Sequence, residues 1–427
     1  MNPHRVSAAV LIPLAAALHA FGYYSARSMA WRHGIDNLQL DSSTIGTAMS
    51  VATTAGVFGL LAAVVLGALA GAPLTAAAGL LVAAAGVVVQ SVASSSWGYG
   101  LGIATAGFGA GMYRPAMIAS ALRPFGSAGP AARIALLLSV YAGTNFAALS
   151  SGFVGSAIQG MGSAATSMAM VAGAMCSGTA ALLFLVLAGA GFVGGPQEHG
   201  SYSGRTLGAS AVAVVIGGPA YAAWTLGGEL QWRALGEMFG SSNTLFYVNP
   251  AVNVAACVAF AAGFGGVHFS GVRPPALAVA GVGFVCAGVG LVPSAAAQLG
   301  GLPLAVACVV IGAVGEGLLW AGLMSAVVGA LHWRLAIIPP AMVTAASTGT
   351  NMFSGLLGYY PGSSAGWGAT LLAIAVFVGG IVLLAAAWPL RKWLDDDDPG
   401  VDPGPTETVD PYGFRELSSS NRDKSGD

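Results

Sequence analysis

Apolar residues run along this chain in long unbroken stretches, interrupted at intervals by short polar breaks that hold nearly all of its charges. A bilayer core about 30 Å thick takes about 20 apolar residues per helix, and twelve runs are long enough. They cover residues 6–30, 43–69, 74–94, 97–121, 132–158 and 164–192, then 206–227, 244–266, 275–297, 303–329, 335–358 and 367–390. The pattern therefore predicts an all-α membrane protein with twelve transmembrane helices. The first run is read as a retained span. It is long, carries Tyr23, Tyr24 and Arg27 near its end, and lacks the small-residue cleavage pattern of a signal peptide.

Composition agrees. Of 427 residues 56% are hydrophobic and 7% charged, against roughly 25% charged in a soluble domain, so the apolar surface exceeds what one aqueous core could hide. A net charge of −1 gives no pointer to nucleic acid. Cys176, Cys257, Cys286 and Cys308 all lie in apolar segments, without metal-ligand spacing or a disulfide framework. Lysine and arginine in the loops set orientation. With an even number of spans, Arg5, Arg123, Arg133, Arg205, Arg273, Arg334, Arg391 and Lys392 share the side of the termini, against Arg32 and Arg233 opposite. Both termini are thus expected in the cytoplasm of a multi-pass cell-membrane protein. From Asp395 the chain opens with 'DDDDPG' and continues polar, which reads as a solvated, disordered tail.

The chain also resembles itself. At an offset of 206, Pro13 falls on Pro219, Gly109 and Gly111 fall on Gly315 and Gly317, and 'GTN' at 143–145 falls on 'GTN' at 349–351. Two six-helix halves follow, as transporters are often built from repeats: a bundle over 1–192, a linker over 193–205, a second bundle over 206–392 and a tail over 393–427. Abundant glycine and alanine suit close helix packing in lipid.

Away from span ends, the ionisable groups inside the membrane reduce to Arg114, Glu316 and His19, with Arg27 nearer the interface. A charge at mid-bilayer costs about 2.5–3.5 kcal/mol even on insertion scales, so Arg114 needs a partner or a wet cavity. The repeat places Glu316 on Ala110, four residues before Arg114 on the same helical face. The two charges are expected to face each other across a cavity between the halves, as a gating pair or as a static brace between helices. His19, Tyr23 and Arg27 form a stripe at i, i+4 and i+8. His19 is either a packing histidine or a proton carrier. Tyr113, Tyr141, Asn145, Tyr221, Trp224, Tyr247, Asn249, Asn253, Trp320 and Asn351 are further polar groups within spans that line the cavity or bond to neighbouring helices.

Twelve spans in two similar halves resemble the major facilitator superfamily. Local strings narrow the resemblance to its proton-dependent oligopeptide transporters. 'FGYYSARSMAW' resembles the end of their first-helix E-x-x-E-R-F-x-Y-Y-G motif. 'GFGAGMYRPAM' resembles the fourth-helix pattern ending in Lys-Pro-Asn, with Arg114 at the lysine, and 'LLLSVYAGTNFAALSSGFVG' the fifth-helix pattern, through Tyr141 and Asn145. 'FYVNPAVNV' and 'GEGLLWAGLMSAV' resemble segments of the eighth and tenth helices. The resemblance implies gating, proton-coupling and amine-binding roles for Glu316 and Arg114, and a pocket lined by the tyrosines, Asn145 and Asn249. The chain departs from the motif at Ala16, His19 and Ala20, where the family has glutamate, glutamate and arginine. The charged signature between the second and third spans is absent too, since 'GALAGAPLTAAAG' carries no charge.

The expected function is secondary transport of a small organic solute by alternating access. Protons are coupled through Glu316 or His19, and Arg114, Glu316, Tyr23, Tyr24, Arg27, Tyr141, Asn145, Asn249, Trp224 and Trp320 serve as binding or gating residues. A peptide-like or amine-bearing substrate, export or uncoupled passage of a non-peptide metabolite or drug, and a transport-dead sensor or scaffold all remain open. No catalytic constellation or nucleotide-binding motif is found, so no enzyme activity, cofactor or metal is expected. The expected partners are the solute, protons and the bilayer, with the monomer as working unit and no nucleic acid.

Overall fold

A computed structural model describes residues 3–158, 161–189, 204–240, 245–270, 273–329, 331, 332, 334–356 and 362–395. Most of the linker, the tail beyond Asp395 and the side chain of Asn351 lie outside the described residues. Twelve α-helices run through the described chain: α1 Pro3–Arg32, α2 Ser42–Ala70, α3 Ala72–Ser91, α4 Ser96–Leu122, α5 Gly129–Ala157, α6 Ser163–Gly189, α7 Gly204–Phe239, α8 Leu245–Phe269, α9 Ala276–Val289, α10 Pro293–Val328, α11 Ile338–Leu356 and α12 Gly362–Leu394. A π-helical turn, His33–Asn37, extends α1, and a 3₁₀ turn, Arg123–Ala128, joins α4 to α5. By length and composition, nine apolar spans among the described residues are able to cross a membrane. The chain is a multi-pass membrane protein.

Local chemistry sets the ends. Asp41 caps α2, accepting from the Thr44 amide at 2.7 Å, and Ser95 caps α4 by accepting from the Gly98 amide at 3.2 Å, the roles these side chains favour at a helix start. The expected ninth span, 275–297, is broken. Helix α9 stops at Val289 and α10 starts at Pro293, a residue without an N–H that suits a first turn. Inside α10, Gly301 takes a φ of 71° next to Pro303, so its first turns are set off by a kink from the long segment that follows. Helix α7 runs the other way, past the predicted end at 227 for more than three further turns that carry Glu229, Arg233 and Glu237.

The predicted two halves are visible in how the helices touch. In the first bundle α1 packs on α5 and α6, α3 on α4 and α6, and α2 on α4. In the second, α7 packs on α11 and α12, α9 on α10 and α12, and α8 on α10. Each pairing repeats with the helix number raised by six. Gly109 and Gly315, matched by the sequence repeat, do the same work. A Cβ on Gly109 would lie 2.8 Å from Ala83 Cα in α3, and one on Gly315 would lie 2.6 Å from the Gly283 carbonyl in α9. Between the bundles run two seams, α5 on α8 and α2 on α11, which exchange under the same two-fold relation.

The bundles meet unequally along their length. The start of α1, the 3₁₀ turn and the ends of α10 and α12 share one end, called the near end. There one continuous core takes Ile118, Leu122 and Leu137 from the first bundle together with Leu323, Val327 and Ile337 from the second. Toward the far end the small cores stay within one bundle, around Ala26 and Met170, around Ile45 and Tyr99, and around Leu235 and Val309. The bundles share a core at the near end, whereas toward the far end their cores are separate and the α5–α8 seam still joins them where Phe153 stacks on Tyr247.

Replacing Gly315 with Ala is expected to force α9 and α10 apart, at about 1–3 kcal/mol for overpacking. The melting temperature should fall, whereas Gly178→Ala, with nothing within 4 Å, should leave it unchanged or slightly higher. Asp41 gives a pH signature. Hydrogen bonds from the Ser43 hydroxyl and the Thr44 amide and hydroxyl hold its carboxyl below the usual carboxylate range. A depressed folded-state pKa means the cap's contribution is full above the unfolded value of about 3.9 and is lost as pH falls through the lower folded value. Protection of the Thr44 amide, measured against its unfolded-peptide exchange rate, should hold through the ordinary range and drop only below it.

Candidate functional site between the bundles

Arg114 sits in the middle of α4 between Tyr113 and Pro115, both buried, yet its own side chain is exposed. Since α4 packs on α2 and α3 within its bundle, this exposure marks the gap and not a packed face. Its guanidinium carbon lies 5.9 Å from the Tyr23 ring centroid on α1, near the range of a cation–π contact. Tyr24 on α1 and Tyr221 on α7 also lie in its electrostatic reach. Tyr221 belongs to the other bundle, so Arg114 faces across the divide.

Glu316 lies on α10 one turn before Trp320, the position that matches Arg114, and is half-buried. The Tyr141 hydroxyl of α5 donates to its Oε1 at 2.5 Å, a short charge-assisted hydrogen bond from one bundle to the other. Asn249 and Asn253 of α8 are close to the same carboxylate. Asn253 is locked in place, donating to the Ala313 carbonyl at 3.1 Å and accepting from the Cys257 thiol at 3.3 Å. The Trp320 ring packs 5.1 Å from that of Tyr141, and Trp224 5.4 Å from Tyr221.

The expected Arg114–Glu316 pair is corrected here. The two groups form no ion pair with each other: Glu316 takes Tyr141 as its partner and Arg114 faces Tyr23. They still share one gap, because both act electrostatically on Tyr24 and Tyr221. His19 is enclosed within the first bundle. It is buried between α1, α4 and α6, with Nδ1 3.1 Å from the Ser177 hydroxyl and its ring 4.5 Å from that of Tyr113. Asn145 donates one N–H to the carbonyl of Tyr141 one turn earlier at 3.1 Å.

Glu229 had no place in the sequence reading, and it belongs to the site. It is exposed on the extension of α7, within the electrostatic reach of Arg27 and Tyr23 on α1. A signal was available, since the offset of 206 lays Glu229 on Tyr23. The first bundle thus presents two cations, Arg27 and Arg114, and the second two anions, Glu229 and Glu316, with tyrosines and tryptophans between them. Among the described residues no group of three or more histidine, cysteine, aspartate or glutamate side chains is arranged to hold a metal.

The fold is that of the major facilitator transporters. The human organic anion transporter MFSD10 (TETRAN) superposes with a TM-score of 0.65 at 13% identity, over 92% of this chain and 100% of its own. The proton:xylose symporter XylE gives 0.65 at 12%, over 92% and 96%. The peptide transporter POT gives 0.54 at 15%, over 90% and 95%. No protein-family model and no curated relative matches the chain by sequence. At these identities the likeness is one of fold.

Removing the Tyr141 hydroxyl with Tyr141→Phe is expected to cost about 1.5–3 kcal/mol for a hydrogen bond to a charged group. A thermal melt would read this as a lower midpoint, while Asn145→Ala should move it much less.

Proposed function

We propose that the protein is a secondary transporter that carries a small zwitterionic or amine-bearing organic solute by alternating access between its two six-helix bundles. The observation that carries this reading is the Tyr141–Glu316 hydrogen bond across the bundle divide, in the same gap as the exposed Arg114. An acceptor from one bundle is held by a donor from the other, and a solute that takes either partner changes how the bundles are joined. A solute carboxylate fits Arg114, a solute ammonium fits Glu316, and the aromatic side chains between them suit an apolar body. Taking the near end as cytoplasmic, from the arginines and lysines gathered there, the gap opens outward.

Glu316 is the group we assign to proton coupling. When protonated it loses its charge and its hold on Tyr141 weakens, which frees α5 from α10 and lets the bundles rock. Arg114 stays charged throughout and serves binding. Arg27 and Glu229 line the far mouth as opposed charges that draw together when it shuts. His19 we assign to packing between α1 and α6. The working unit in this reading is the monomer, with domain limits as the sequence repeat sets them. A second reading has one specific support. Both cations of the gap are exposed while Glu316 is engaged, which favours an organic anion, the kind of cargo named for MFSD10.

Purified protein in liposomes separates these readings. With an imposed inward proton gradient, uptake of zwitterionic solutes is expected to rise, and Glu316→Gln to abolish that rise while leaving solute exchange. Arg114→Gln should weaken binding about 10- to 100-fold, the equivalent of about 1.5–3 kcal/mol for a charged hydrogen bond. Flux indifferent to the gradient removes proton coupling. Competition by organic anions but not by zwitterions selects the second reading. Binding without flux across the solute panel replaces transport with a sensor.

A further inference from the structure

The α5–α8 seam changes character along its length. Toward the far end Phe153 stacks on Tyr247 at 5.7 Å. At mid-depth Tyr141 and Cys257 both face Gly317 of α10, where an added Cβ would meet them. In the near half the two helices are parted by a groove of about 620 Å³. Its walls are small side chains, Ala135 and Ala142 on α5 against Ala261 and Gly265 on α8, and Val6 of α1 and Phe125 of the 3₁₀ turn line it toward the near end. Val258 and Phe269, which also line it, are exposed apolar residues, so the groove opens sideways onto the lipid-facing surface.

The related half of the α2–α11 seam is filled by the protein itself, since a Cβ on Gly67 would lie 2.7 Å from Ile337 Cδ1. Helix association in lipid depends on van der Waals fit, and a gap forfeits those contacts, so the near half of the α5–α8 seam calls for a filler. Its dimensions say which. The stretches 132–142 on α5 and 258–268 on α8 that line the groove each span about 15 Å of helix, half of a hydrocarbon core of about 30 Å. The groove therefore runs the depth of one leaflet. Its one hydroxyl at depth, that of Ser139, donates to the Ala135 carbonyl at 3.0 Å, which leaves a hydrocarbon wall. At the near end stands a basic side chain, His268, half-buried in the last turn of α8. Arg133, next to Ala132, turns away from it, donating to the Ser325 hydroxyl and to the Gly329 and Leu394 carbonyls beside Asp395. Among the described residues no carboxylate lines the groove, and Arg273, Arg391 and Lys392 belong to the same end of the molecule.

We propose that this groove is a lipid-binding site that seats one acyl chain of an anionic phospholipid of the near leaflet, with the phosphate at His268 and the chain reaching to Ala142. An acyl chain has the length, the chemistry and the flexibility to fill a corridor walled by alanine and glycine. A polar solute would find no partner along it, because small-molecule sites need a few placed polar groups. The imidazole N–H donates to a phosphate oxygen, and the cationic surroundings favour a headgroup with net negative charge over a zwitterionic one. Resting on α5 of one bundle and α8 of the other, the chain supplies the packing that side chains supply in the α2–α11 seam. The site stands apart from the transport reading, since its occupant is a resident lipid and its binding is read without flux.

The test is native mass spectrometry of the full-length, delipidated protein titrated with phosphatidylglycerol or with phosphatidylcholine of the same acyl chains. One phosphatidylglycerol per chain should be retained at low excess, and phosphatidylcholine more weakly. Filling the groove with Ala135→Leu and Ala261→Leu together should abolish that retention, while Val215→Phe, on an exposed apolar position of α7, should leave it unchanged. His268→Ala should weaken phosphatidylglycerol by about 2- to 10-fold, the equivalent of one hydrogen bond, and leave phosphatidylcholine alone. Phosphatidylglycerol should also raise the melting temperature of the wild type but not of the filled variant. Should the filled variant not fold, the wild type still decides: phosphatidylglycerol carrying a photoreactive group in mid-chain should label peptides covering 132–142 and 258–269 above all others. Retention that survives filling overturns the site, as does labelling spread evenly over the lipid-facing helices, which marks bulk bilayer lipid. Equal retention of the two lipids overturns the headgroup assignment to His268.

Discussion

A charged group inside hydrocarbon must be met by an opposite partner, by hydrogen-bond donors or acceptors, or by water, and the arrangement of this molecule follows from how each of its few charges is met. Glu316 is met by a phenol from the other bundle. Arg114 is met by an aromatic face and by solvent reaching into the gap. Arg133 is met by carbonyls and a carboxylate in a sealed seam. In a chain that is 7% charged, these three solutions fall at three different places between the same two bodies. They divide the interface into a sealed end, a central polar belt and an open mouth.

The scaffold beneath them is repetitive. The main helix pairings of one bundle recur in the other, and glycines at matched positions let α3 meet α4 and α9 meet α10 at backbone distance. Association in lipid gains little from the hydrophobic effect and depends on close van der Waals fit, which explains why such glycines persist where a methyl would collide with backbone. The charges of the gap fall where the repeat is broken. Arg114 has no arginine opposite it, Glu316 matches an alanine, and Glu229 matches a tyrosine.

Much of the frame was legible in the sequence because hydrophobic length is a strong signal and charges were few enough to place one by one. The twelve spans and the two halves followed from hydrophobic length and the repeat; Arg114 and Glu316 were singled out by their depth in the membrane, and Tyr141 by the resemblance to oligopeptide transporters. What failed depended on direction and reach within tenths of a turn. Equivalent faces put Arg114 and Glu316 into one cavity but said nothing of Tyr141, which reaches Glu316 first. His19 shares a stripe with Tyr23, yet α6 approaches that side of α1 so closely at Gly22 and Gly173 that the ring is enclosed. Glu229 escaped because a span was taken to end where apolar residues ended, while the helix continued. Arg133 escaped for the opposite reason: a cation close to a loop was assumed to be wet.

The two seams between the bundles also differ in chemistry despite their symmetric placement. Along α5 and α8 the contacts are aromatic and polar, with Phe153 stacked on Tyr247 at 5.7 Å and the Glu316 cluster close by. Along α2 and α11 they are glycine against methyl groups, Gly67 under Ile337 and Gly56 facing Thr348. Glycine and methyl surfaces slide over one another with no directional bond to break, whereas a hydrogen-bonded aromatic seam resists shear and yields only in steps. In the proposed transport cycle, motion of one bundle over the other would be lubricated along one line of contact and toothed along the other, so that the toothed side would set the pace.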